Sequence, residues 1–79
     1  MKVENMLKLA EMIVDAEDML AGVQSQNDIK DINKAMVLED LKEDPAYAIA
    51  SFLVFADDQK KATPALTSLI NKIESLALA

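Results

Sequence analysis

The amino-acid sequence predicts an all-α fold, a compact bundle of four helices joined by short loops in a single helical domain, residues 1–79. Three observations predict it. Apolar residues recur at three- and four-residue intervals, and no stretch alternates apolar with polar residues between turn signals as a strand would. Asp44-Pro45 and Thr63-Pro64 each set a capping side chain directly before a proline, which stops one helix and starts the next. The single glycine, Gly22, stands at the end of the first apolar run, where a left-handed residue closes a helix.

Taken in order, the first helix is expected over residues 2–21. Glu4, Lys8, Glu11, Asp15 and Asp18 fall on one narrow arc of it, and most of the remaining side chains are Val, Met, Leu, Ile or Ala. The apolar arc covers roughly two-thirds of the circumference, where a surface helix needs only a little over ~100°. Gln24 to Asn27 form the first loop, with Ser25 or Asn27 as cap for a second helix over 28–43. That helix has two stripes: Ile29, Ile32 and Met36 on one side, Val37, Leu38 and Leu41 on another. It therefore either bends near Met36 or meets two neighbours along its length.

The third helix, 45–57, is nearly uncharged. From Ala46 to Ala56 its only polar side-chain groups are Ser51 and the Tyr47 hydroxyl. Ile49, Phe52, Leu53 and Ala56 form its core face, which leaves Tyr47, Ser51, Val54 and Phe55 pointing elsewhere. Asp58 to Ala62 make a polar connection. The fourth helix, 64–78, carries an ordinary stripe of Leu66, Leu69, Ile70, Ile73, Leu76 and Ala77, with Lys72, Glu74 and Ser75 opposite.

Composition narrows the function. A chain of 79 residues buries only ~60 % of its unfolded surface, and small folds compensate with disulfides, metals or oligomerisation. With no Cys and no His, disulfides, thiolate sites and the commonest metal ligand are gone, as is the usual general base. Oligomerisation is the compensation left. Net charge is −6, and every cation is a lysine. Without arginine forks, and with lysines outnumbered by carboxylates, the chain is a poor binder of nucleic acid. An acidic surface favours a basic partner. Charges interrupt the N-terminal apolar run, so no signal peptide is expected, nor any membrane span. The expected location is cytoplasmic.

Sites of chemistry are weak. Ser25, Ser51, Ser68 and Ser75 have no imidazole to activate them. All-helical nucleotide pyrophosphatases hold Mg²⁺ with a Glu-Glu-x-x-Glu run and a later Glu-x-x-Asp, and neither spacing occurs here. Acyl carrier proteins share the size and acidity, but the Asp-Ser-Leu that carries their prosthetic arm is absent. No catalytic, cofactor-binding or metal-binding residue is assigned, and no cofactor is expected.

The surplus apolar surface is the remaining signal. Leu9, Met12, Ala16 and Met19 lie far around the first helix from Leu7, Ala10 and Val14, so one group can face the bundle and the other a partner. If the third helix lay at the centre of the bundle, its own surplus would need no partner. The expected interface is Met12, Glu17, Met19, Tyr47, Ser51, Val54 and Phe55. Glu17, set within the apolar arc, would sit at its rim and reach a lysine of the partner. The expected role is a non-enzymatic protein–protein interaction module, a small regulator or inhibitor acting as a homo-oligomer. The alternatives are an assembly subunit of a larger complex and a carboxylate–Mg²⁺ nucleotide hydrolase.

Overall fold

In the computed structural model, which describes residues 2–61 and 63–78, the chain folds into four helices: α1 (Val3–Ala21), α2 (Asn27–Glu43), α3 (Pro45–Asp58) and α4 (Pro64–Leu78). No strand occurs among the described residues. Ala62, the last residue of the expected polar connection, lies outside them.

The joints follow from local chemistry. Gly22 takes a left-handed conformation (φ 70°, ψ 29°), and two bonds close α1 around it. Gly22 N–H donates to the Met19 carbonyl at 3.2 Å and Val23 N–H to the Asp18 carbonyl at 3.0 Å. This is the Schellman arrangement. Asp44 caps α3, its Oδ1 accepting the Tyr47 N–H at 3.1 Å, and Thr63 caps α4, its Oγ1 accepting the Leu66 N–H at 3.2 Å. In both, proline occupies the first helical position, where no hydrogen bond is lost.

The start of α2 departs from expectation. Gln26 is the N-cap, without a side-chain cap bond, and Asn27 is already helical. Ser25 is engaged elsewhere. Its N–H and hydroxyl both donate to the Asp18 carboxylate, at 3.1 and 2.8 Å. Lys30 then reaches across from α2, with Nζ 3.2 Å from Asp15 and 3.9 Å from Asp18. Serine is thus spent on tying the loop back to α1, and the bonds to Asp18 hold that carboxyl below the usual range.

The core is wholly apolar, since no polar or charged side chain is buried among the described residues. Its centre is α1, which contributes Leu9, Ala10, Ile13, Val14, Ala16 and Leu20 and packs chiefly against α2 and α4. Those six side chains span an arc of roughly 160° at about 100° per residue. Both apolar groups of the first helix therefore face the bundle, and the expected division between core and partner is corrected: only residues such as Leu7 and Met19 stay exposed. Leu41 from α2, Phe52 and Ala56 from α3, and Leu66 and Ile73 from α4 complete the core.

α3 is not the central helix. It packs mainly against α2 and touches α1 less, at the edge of a body 29 × 28 × 17 Å. α2 is one uninterrupted helix that meets both α1 and α3. Val37, Leu38 and Leu41 pack inward, while Ile29, Ile32 and Met36 stay exposed.

Two substitutions test this account by denaturant unfolding. Gly22→Ala meets no atom within 4 Å of the new Cβ, so its cost is backbone strain alone, about 1 kcal/mol. Leu41→Ala removes the one fully buried side chain of α2 and should cost about 3 kcal/mol.

Candidate interaction surface

The candidate surface starts from α3. Between Pro45 and Ala56 the helix carries no charge, so nothing in its sequence dictates which of its faces meets water. Packing decides. Phe52 and Ala56 turn inward, with Ile49 and Leu53 half-buried against the core. Tyr47 is left 72 % exposed, Val54 62 % and Phe55 45 %. Residues of this size and polarity are ordinary singly on a surface; along one helix face they form a continuous patch.

Beside that face runs a groove of about 640 Å³ between α1, α2 and α3. Ile13, Val37, Ala48 and Phe52 contribute apolar lining, and Tyr47, Ser51 and Phe55 follow the α3 side. Four carboxylates complete the lining: Glu17 from α1, Asp40 and Glu43 from α2, and Asp44 at the α2–α3 joint. No lysine lines it, and among the described residues none of the four forms an ion pair. Lys42, in the same turn of α2, stands about 160° around the helix from Asp40 and forms no ion pair with these acids among the described residues. The groove also meets the C-terminal end of α2, where the helix dipole is negative and cations would be the stabilising choice.

Glu17 registers this environment. Partial burial pushes its carboxyl above the usual range, and the neighbouring Asp18 charge adds to the rise. No hydrogen bond or cation among the described residues acts in the other direction.

The expected interface residues separate into sets. Glu17, Tyr47, Ser51 and Phe55 come together in the groove. Val54 lies about 20° around α3 from Tyr47, on the outer face beside the groove. Met12 and Met19 are not brought to it. They stand about 140° and 160° around α1 from Glu17, Met12 half-buried against the core and Met19 exposed. The expected interface did not include Asp40, Glu43 and Asp44, which are legible in the sequence as an acidic cluster with Glu39 and which line the groove together with Glu17. A signal was present for two of them: Asp40 and Glu43 are acids in the last turn of a helix, where the dipole disfavours them.

Two other features carry less. A broader hollow of about 890 Å³ is lined by residues of α4 alone, from Pro64 to Leu76, and so is a helix surface rather than a site. Among the described residues no three carboxylates gather closely enough to hold a metal ion, and no helix is long and apolar enough to cross a membrane. Comparison with known proteins found no family that matches the chain, and no curated protein or solved structure that matches it.

The raised Glu17 pKa has a consequence for stability. A carboxyl shifted upward on folding favours the folded state below the unfolded pKa, and this contribution is lost as pH rises through the folded value. Glu17→Gln should therefore gain stability relative to the parent near neutral pH and lose that advantage in acid. Urea melts of both proteins across the acid range check the sign; an advantage that grows as pH falls would contradict the assignment.

Proposed function

We propose that this protein is a non-enzymatic protein–protein interaction module, a small regulator or inhibitor that works as a homo-oligomer. The observation that carries the reading is the uncharged outer face of α3, with Tyr47 and Val54 largely exposed. Ala46 and Ala50 flank them, small enough for a second helix to approach closely.

A second copy of the chain suits that face on electrostatic grounds. In a two-fold contact each patch meets itself, so any charge on it would meet a like charge. The residues from Pro45 to Ala56 present none. Burying them between chains would add apolar contact that a domain of this size lacks in its own core. Cysteine-free composition and the absence, among the described residues, of a helix able to cross a membrane fit the cytoplasmic location included in the proposal.

The assembly reading keeps one specific point in its favour. Ile29, Ile32 and Met36 form a second exposed apolar stripe, on a different helix from Tyr47 and Val54. Two unlike patches can pair with one another head to tail, and such contacts add subunits without closing.

Sedimentation equilibrium over about a hundredfold range of concentration separates these outcomes. A dimer that Val54→Lys weakens at least about tenfold supports the proposal. Mass that keeps growing with concentration would favour the assembly reading. A monomer throughout, in the parent protein, would overturn the homo-oligomer.

A further inference from the structure

We propose that the groove between α1, α2 and α3 receives an amphipathic helix of a partner protein, its apolar stripe on Tyr47, Phe52 and Phe55 and its flanking lysines or arginines against Glu17, Asp40 and Glu43. The inference rests on the reading of the protein as an interaction module and names the chemistry of what it binds.

Charge decides the occupant. The groove offers an apolar lining together with four carboxylates and no cation. A second copy of the same groove would bring carboxylate against carboxylate, a juxtaposition that costs rather than contributes. An uncharged apolar partner would bury those acids without a counter-charge, which is also unfavourable. A partner with cations beside an apolar stripe satisfies both parts.

Shape argues for a helix. The α3 side of the groove runs from Tyr47 to Phe55, eight residue steps or about 12 Å at 1.5 Å per residue. That length matches about two turns of a docked helix, read through apolar anchors at i, i+4 and i+7. On the facing wall, Asp40 and Glu43 stand one turn apart at the end of α2, and Asp44 follows at the α2–α3 joint. Asp44 already caps α3 through Oδ1, so Glu17, Asp40 and Glu43 are the acids assigned to the partner.

The placement of these acids also breaks local rules. Asp40 and Glu43 stand in the last turn of α2, where they oppose the dipole, and Glu17 is partly desolvated without a cation. Residues that lower the stability of a fold at one spot, all around one groove, are characteristic of a binding site.

The test uses two synthetic helical peptides of roughly four turns. Both carry leucine at i, i+4 and i+7; one is flanked by lysines and the other by glutamates. Binding to the whole protein is followed by fluorescence anisotropy, and amide shifts are mapped by NMR. The lysine peptide should bind, shift the amides around Glu17, Asp40, Tyr47 and Phe55, and weaken as salt is raised. The triple variant Glu17→Gln, Asp40→Asn, Glu43→Gln should weaken it at least about tenfold, and Phe55→Ala should weaken it too. The control variant Glu4→Gln, Glu11→Gln, Glu74→Gln removes as many charges away from the groove and should bind as the parent does.

Equal weakening by both triple variants would reduce the effect to net charge and overturn the proposal. Equal affinity for the glutamate peptide, no binding of the lysine peptide, or shifts confined to another face would do the same. Sedimentation of the same samples keeps the two readings apart. A dimer that ignores the lysine peptide would leave the interaction module standing while the groove assignment fell. Loss of the dimer in the Glu17→Gln, Asp40→Asn, Glu43→Gln variant would show the groove acids serving the contact between copies, and would also overturn the assignment.

Discussion

The burial of one broad apolar face of α1 is the constraint around which the other three helices are arranged. Six of its side chains are buried, where α2 buries one and α3 and α4 two each. The rest of the arrangement depends on that burial. With α2 and α4 packed against α1, α3 is left at the edge, held mainly by α2. Its core contribution shrinks to Phe52 and Ala56, with Ile49 and Leu53 half-buried beside them. An uncharged helix placed at an edge has to show apolar side chains to water. The exposed face of α3 is thus a consequence of the burial of α1.

The joint between α1 and α2 shows how the polar residues support this packing. Asp18 receives two bonds from Ser25 and lies near Lys30, while its own backbone carbonyl accepts the Val23 N–H. One residue therefore joins the helix end, the loop and the next helix. At the same end of α1 Lys61, in the connection before α4, donates to the Leu20 carbonyl and satisfies an otherwise unpaired group of the helix. These contacts lie at the margins and leave the interior wholly apolar. A core without polar groups packs by shape and volume alone, so nothing in it obliges α3 to remain uncovered or a particular partner to cover it.

The acids divide by the same geometry. Asp15 and Asp18 face Lys30 and contribute to the fold. Glu17, the residue before Asp18, projects about 100° away from it and meets the groove instead. Two adjacent carboxyls consequently shift in opposite directions, Asp18 downward through its bonds to Ser25 and Glu17 upward through desolvation. The contrast separates an acid that stabilises the joint from one set against an apolar groove without a partner of its own.

Much of this was legible from the residues themselves. Gly22, Asp44-Pro45 and Thr63-Pro64 act within a few residues of where they stand, so sequence alone determined the helix ends that they mark and the all-α class. The stripe of α4 and the inward face of α3 were equally readable, because helical periodicity maps position directly onto face. The start of α2 was not, since Ser25 gave its bonds to Asp18 from the preceding helix rather than to its own. Nor was the identity of the central helix. Two helices carried more apolar surface than one stripe requires, and periodicity records how much apolar surface a helix has, not whether another helix arrives to cover it. The meeting of Glu17 with Asp40, Glu43 and Phe55 belongs to the same category. Those residues are far apart in the chain, and only the packing of α1, α2 and α3 sets them around one groove.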